Sequence, residues 1–432
     1  MLRKVQVAEL AVGMYVMDTG LSWLEYPYLY SREGVIENAG TLREIVEAGY
    51  EEAFVDTEKG AFGSARAALD SRLAAPLGAA ATASGDAPAP RTSGAPPAPR
   101  TSGAPPAPGK SGEQIPLAQG LAEAKTLYRD CLAIARDVLR EVRNGGEVNV
   151  AASETLIDDV ITSAVHNRDA LVALAKLRVH DAYTFTHGVN VAVLAVAFGA
   201  ALGISPQGLK QLGLAGLFHD LGKTGVPDAI LNKPGPLSAQ EFERIREHPA
   251  HGCRLLAGRG LPEAVLRGVG EHHEKADGSG YPRGLVGEDI HPFGRVLGVA
   301  DVFDALTSRR SYKEAMLPTR ALGVLYGMRG RDFPAQLVER FIKFLGPYPV
   351  GSFVRLASGE YGFVRRGNPG RPLFPELLLV LDASGRPCSQ RPLDLGGWQE
   401  GGPSIAQALD PEAFGLDPLD FLSQPGPEDA SR

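Results

Sequence analysis

Apolar residues follow three different periods along the chain. From 3 to 16, Val5, Val7, Leu10, Val12, Tyr15 and Val16 alternate with polar neighbours and break at Gly13, which predicts extended strands around a turn. Ala53 to Asp56 predicts another strand, and Leu42, Ile45 and Val46 between them have helical spacing. Together these predict a small α+β module over residues 1–62. Farther on, Leu121, Ala124, Leu127, Tyr128, Leu132, Ala135, Leu139 and Val142 repeat at helical spacing and stop at Asn144-Gly145-Gly146, a helix-end signal. Helical patterns then fill residues 116–346. Phe353 to Ala357, a Ser358-Gly359 turn, Tyr361 to Arg366 and Glu376 to Leu381 predict a short β-meander within 347–399, and the Pro- and acid-rich tail, 400–432, is expected to be loose. The expected fold class is mainly α, with a small module at each end.

Residues 63–115 break all three periods. Between Pro76 and Gly112 the chain is almost wholly Pro, Ala, Gly, Ser and Thr, and RTSGAPPAP repeats at Arg91 and Arg100. Such a segment cannot bury enough apolar surface to offset its ordering entropy, so it reads as a linker holding its neighbours roughly 30–100 Å apart. The first module is poor in chemistry, with no His and no Cys, and suits regulation or docking through a signalling partner. The helix at 119–143 presents an apolar stripe that suits either packing on the helical region or a homodimer seam.

Composition narrows the function. A formal charge of −7 over 432 residues leaves no electrostatic footprint for DNA, although a local basic pocket for a phosphate ligand is compatible with it. Residues 188–209 carry no charge, yet only Val191 to Ile204 is persistently apolar, which fits a buried helix and not a membrane span. Cys131, Cys253 and Cys388 lie far apart and form neither a CxxC pair nor a zinc spacing, as expected in a reducing cytoplasm.

All nine histidines fall between His166 and His291. Within that window His187, the pair His219-Asp220 with Lys223, His248, the pair His272-His273 and Asp301 form the candidate site, while His166, His180, His251 and His291 read as ordinary surface or core histidines. Five imidazoles with two carboxylates and no thiolate favour iron or manganese over a structural zinc site. Adjacent helical residues point about 100° apart, so each pair can address two ions, and seven ligands exceed what one mononuclear site requires.

The strings HDLGK (219–223), KPGPLS (233–238), the HPxxG pattern at His248, HHEKADGSGYP (272–282) and DVFDALTS (301–308) closely resemble the HD-GYP family of HD-domain phosphohydrolases, over residues 170–330. PYLYSR (27–32) and VDTEKG (55–60) are similar to a domain of unknown function often fused to such proteins. The resemblance implies a helical HD-domain bundle around a metal site and hydrolysis of the bacterial second messenger cyclic di-GMP to pGpG, and onward to GMP in some members. It implies that His187, His219, Asp220 and Asp301 hold one divalent ion, with Asp220 bridging, and that His248, His272 and His273 hold the other. It places Lys223, Arg310 and Lys313 at the phosphates and Tyr281, within Gly280-Tyr281-Pro282, against the ligand. Some members use a Glu four residues before the first histidine for a third ion; Tyr183 stands there in this chain, so two ions are expected.

Two ions about 3.5–4 Å apart would ionise a water and offset phosphoryl charge, as phosphodiester hydrolysis requires. A catalytically weak cyclic di-GMP sensor or scaffold is the alternative, but it does not need seven ligands. A general HD-type nucleotidase is the other, and ordinary members of that class lack the GYP loop. Asn190, three residues after His187, reads equally as its orienting partner or as a satisfied buried polar group.

Overall fold

A computed structural model describes residues 2–19, 29–30, 33–47, 50, 52–60, 116–176, 183–231, 233, 237–308, 315–368, 370–398 and 401–424, with the side chains of 47, 176 and 183–185 excepted. The predicted linker, residues 309–314 with Arg310 and Lys313, and the side chain of Tyr183 therefore lie outside the described residues.

The N-terminal module contains β1 (Leu2–Gln6), β2 (Met14–Val16), β3 (Leu29–Tyr30), β4 (Gly34–Val35), α1 (Ala39–Glu47) and β5 (Glu52–Gly60), with strand order β1-β5-β2-β4 and β3 parallel to β5. A 3-10 turn at Val7–Glu9 interrupts the first alternating run. The turn residue Gly13 sits at φ 91°, where a side chain would be strained. Because side chains alternate across a strand, β5 serves two cores. Ala53 and Val55 join Val5, Val7, Met14, Val16, Ile36 and Ile45 inside the module, whereas Phe54 points the other way into the main helical core. Lys4 pairs with Phe54 in register and shares that outward face.

The helices are α2 (Leu117–Arg143), α3 (Val150–Lys176), α4 (Tyr183–Ala201), α5 (Pro206–Phe218), α6 (Asp228–Leu231), α7 (Ala239–Arg246), α8 (His248–Leu256), α9 (Glu263–Glu271), α10 (Pro292–Thr307), α11 (Pro318–Met328) and α12 (Ala335–Leu345). Charge-free α4 runs through the centre, with Val189 and Val191 through Phe198 all buried. An apolar surface on every side demands neighbours on every side, and α2, α3, α5 and α10 supply them. Its length is explained by this burial, and among the described residues no helix is long and apolar enough to cross a membrane. The stripe of α2, including Leu121, Ala124, Tyr128, Leu132 and Val138, is buried within this same molecule.

The structure corrects two expectations. The N-terminal module is not held at a linker's distance: Phe54 is completely buried, and its ring lies so close to Gly327 of α11 that an added Cβ would come within 3.0 Å. A composition argument about the linker says nothing about whether its ends carry complementary surfaces. The tail is not wholly loose either. β10 (Ile405–Leu409) and α13 (Pro418–Leu422) follow β6 (Phe353–Leu356), β7 (Tyr361–Arg366), β8 (Glu376–Leu381) and β9 (Pro387–Asp394), completing an antiparallel sheet of order β10-β6-β7-β8-β9. β9 and β10 are its edges, where one unpaired side tolerates Pro and mixed polarity, so neither has the alternation that marks inner strands.

Phe54→Ala tests the docking. Emptying a fully buried ring site should cost about 3–5 kcal/mol and lower the midpoint of helical unfolding measured by far-UV circular dichroism. An unchanged midpoint would show that the module contributes nothing to the helical core.

Candidate metal centre

The seven sequence-selected ligands come from five helices and converge. His187 is the fifth residue of α4, His219 caps α5, Asp220 begins the 3-10 turn Leu221–Gly225, His248 opens α8, His272 caps α9 and Asp301 sits inside α10. They form two groups: His187, His219 and Asp301 in one, Asp220, His248, His272 and His273 in the other, with candidate donor atoms in each group lying within 4.8 Å of one another. Asp220 faces both. Its Oδ2 lies 3.6 Å from His187 Nε2 and 3.5 Å from His219 Nε2, while Oδ1 lies 3.4 Å from His248 Nε2.

One device recurs at three of the histidines. His219, His248 and His272 each direct Nδ1 at the backbone carbonyl three residues earlier, Gly216, Ile245 and Val269, at 2.7, 2.8 and 2.7 Å. A carbonyl can only accept, so each Nδ1 carries a proton; in His248 and His272, which burial keeps neutral, Nε2 turns a lone pair inward. His248 Nε2 and His272 Nε2 then face each other at 3.3 Å. Two lone pairs at that distance repel unless a cation lies beside them. Buried Asp220 Oδ1 and His273 Nε2 also lack a protein hydrogen-bond partner. Facing imidazole lone pairs and an unsatisfied carboxylate oxygen are the donor set that divalent metal ions require, so the residues fit them.

Electrostatics agrees for three of the five imidazoles. Burial, then the charge of Lys223, holds His248 well below its ordinary pKa. Burial and His219 bring His272 down to about 4, and burial with His272 and His248 lowers His273 as well. These rings are thus neutral at pH 7, the form that binds metal. Burial opposes ionisation of Asp220, but Lys223 and the surrounding histidines hold its carboxyl well below the usual range. For His187 burial favours the neutral ring, yet hydrogen bonds to Asp301 and Asp304 outweigh it and raise its pKa to about 10.

Asp304 is the supporting residue that sequence reasoning missed. Its Oδ2 lies 2.7 Å from His187 Nδ1, and its Oδ1 accepts from Asn190 Nδ2 at 2.9 Å. Asn190 Oδ1 in turn accepts from the Tyr128 hydroxyl of α2 at 2.5 Å. Asn190 therefore acts on His187 through Asp304. The signal was present in DVFDALTS, since Asp304 lies three residues after Asp301 and shares its helical face. Gly222 was also overlooked: an added Cβ would stand 1.9 Å from the carbonyl oxygen of His248, so the HDLGK turn and α8 touch backbone to backbone. His251, set aside as ordinary, directs Nδ1 at Gly222 O at 3.0 Å.

Of the expected phosphate groups, Lys223 Nζ donates to Asp220 Oδ2 at 2.7 Å. The signature loop returns so that an added Cβ on Gly280 would come 2.3 Å from Lys275 N. Tyr281 stacks on His273 with ring centroids 4.7 Å apart, and the Arg246 guanidinium lies 5.2 Å from its centroid. Tyr281 is 7% exposed in this arrangement. Neighbouring carboxylates secure the loop: Glu274 accepts from Arg283 N and Leu285 N at 2.7 and 2.9 Å, and buried Glu271 accepts from Arg283 Nη2 at 2.5 Å.

Residues 164–337 match the HD domain, and residues 2–153 match a domain of unknown function, DUF3391. A cyclic di-GMP phosphodiesterase of Pseudomonas aeruginosa is 32% identical over 92% of this chain and 89% of its own length. The cyclic di-GMP phosphodiesterase response regulator RpfG of Xanthomonas campestris is 39% identical over 41% of this chain and 47% of its own. A 3'3'-cGAMP-specific phosphodiesterase of Vibrio cholerae is 37% identical over 37% of this chain and 31% of its own.

Asp304→Asn should weaken metal binding about 10–100-fold, because the amide cannot present carboxylate oxygens to both His187 and Asn190. Competition with a chelator of known affinity measures this; unaltered affinity would remove Asp304 from the support of the site.

Proposed function

The chain belongs to the cyclic di-GMP phosphodiesterases in which an HD domain follows a domain of unknown function, and from that membership we propose that it is a metal-dependent hydrolase opening cyclic di-GMP to pGpG. The observation that carries the metal-dependent chemistry is the doubled donor set, whose two groups share Asp220. His187, His219 and Asp301 would hold one divalent ion and His248, His272 and His273 the other, with Asp220 giving an oxygen to each. Iron or manganese suits imidazole mixed with carboxylate in the absence of thiolate. Bound there, two such ions supply Lewis acidity that ionises water and offsets charge on the phosphoryl oxygens.

The chain's own groups do the rest. Three backbone carbonyls and Asp304 fix ring orientation before substrate arrives, which removes reorganisation from the chemical step. Lys223 brings a cationic charge to the edge of the donor cluster, where it can also meet the phosphoryl group. Arg310 and Lys313 are proposed to add to it. The leaving 3′ oxygen takes its proton from solvent. The free thiols Cys131, Cys253 and Cys388 suit a cytoplasmic enzyme.

Chromatography of products from metal-loaded protein given cyclic di-GMP, 3′3′-cGAMP or nucleoside triphosphates in parallel tests the reading. It requires selective loss of cyclic di-GMP. Binding without turnover would indicate a sensor, and triphosphate hydrolysis alone would indicate a general nucleotidase.

Two substitutions separate holding metal from meeting substrate. Asp220→Ala should release metal and abolish turnover; near-normal activity with two bound ions would exclude the shared-ligand role. Lys223→Ala should keep its metal while kcat/KM falls roughly tenfold to hundredfold, the equivalent of a charge-assisted contact of about 1.5–3 kcal/mol. A fall in kcat would place the contact in the transition state. Unchanged kcat/KM would take Lys223 away from the phosphate.

A further inference from the structure

The N-terminal module meets the signature loop through six charges. Three segments each contribute one cation and one anion: Lys4 and Glu52 from β1 and β5, Lys275 and Asp277 from the loop after His273, and Arg331 and Asp332 from the turn between α11 and α12. All the pairs but Lys4–Glu52 cross between segments. Lys4 Nζ lies 2.7 Å from Asp332 Oδ1 and 2.8 Å from Glu52 Oε2, and Lys275 Nζ lies 3.1 Å from Asp332 Oδ1. Arg331 Nη2 lies 2.7 Å from Glu52 Oε1, and Arg331 Nε 3.3 Å from Asp277 Oδ2. Backbone bonds follow the same path, with Ala276 N donating to Asp332 O at 2.9 Å and Asp277 N to Arg331 O at 3.0 Å.

Burial makes the cluster unusual. The Lys4 and Asp332 side chains are each 1% exposed. Charges that deep keep their geometry because losing one partner leaves the other unpaired in a medium that solvates it poorly. A lysine from a module with no chemistry of its own is thus buried against the turn that grips the signature loop.

From that loop the connection to the donor cluster is short. Gly280 rests on the backbone of Glu274 and Lys275, Tyr281 N donates to His273 O at 3.2 Å, and the Tyr281 ring stacks on His273. We propose that Lys4 is a positioning residue: through Asp332 and Lys275 it sets the loop that carries Tyr281 and so orients His273. In metal binding the inference rests on the preceding reading of His273 as a ligand; in loop position it does not. The N-terminal module is then part of the apparatus that orders the site, and any event that loosens the module would loosen His273.

Lys4→Met keeps the aliphatic stem and removes the charge; Lys4→Arg restores the charge. Arg43→Met makes the same exchange at an exposed position of α1, which packs on the module's own core and not on the face that carries Lys4. In the full-length metal-free protein, hydrogen exchange of peptides covering 274–282 should speed up on the order of tenfold in Lys4→Met, while α4 and α10 peptides keep wild-type rates. Chelator competition with manganese should show affinity lowered by about tenfold. Lys4→Arg should recover both, and Arg43→Met should alter neither. Wild-type exchange in the loop, or faster exchange spread evenly through the helices, would overturn the proposal. Asp332→Asn, which keeps the side chain's shape, provides the same readouts if Lys4→Met does not fold. Turnover of cyclic di-GMP by the wild type is measured alongside. Its absence with the loop shift intact would sink the substrate reading alone, whereas turnover with no loop shift would sink the positioning role alone.

Discussion

Two neutral imidazoles that have each given their only N–H to a backbone carbonyl cannot hydrogen-bond each other, and His248 and His272 are held with Nε2 atoms 3.3 Å apart in that state. That opposition governs the rest of the molecule. It is unfavourable by itself, so the surrounding helices must hold it, and it becomes favourable when cations share the lone pairs. The centre is therefore preorganised at a cost in the stability of the metal-free chain, with the opposing lone pairs compensated by metal binding.

The means of holding it are local and repeated. Hydrogen bonds from ring to carbonyl three residues back need a helical turn before each histidine, which is why His219 and His272 cap helices and His248 follows one closely. Close backbone approach does the remainder. Gly222 lets the turn after Asp220 touch His248, and Gly280 lets the signature loop fold onto its own start. At either position a methyl group would meet backbone that cannot move without displacing a donor.

The centre also draws on parts of the chain that hold no ligand. Tyr128 reaches His187 through Asn190 and Asp304, from a helix within the region matching the N-terminal family domain. Lys4 reaches the loop after His273 through Asp332. Tyr128 stands 59 positions before His187 and Lys4 269 before His273, and both contacts are buried. A division into a regulatory head and an independent catalytic body does not describe this packing.

The local sequence determined what depends on local spacing. Paired His-Asp and His-His positions, a histidine-rich window and the absence of thiolate spacing pointed to a cluster of imidazole and carboxylate donors, and charge-free Val191 to Ile204 specified a helix buried on every side. Inner strands β6, β7 and β8 were legible because one face or both must be apolar, whereas edge strands β9 and β10 were not because half their backbone meets no partner. Only the tertiary structure decided that Lys4 faces Asp332 rather than water, that Tyr281 packs on His273, and that Asp304 holds His187. The physical reason is the same in each case. A polar or aromatic side chain has the same local pattern whether exposed or buried, and its role is set by the partner that folding brings to it from elsewhere in the chain.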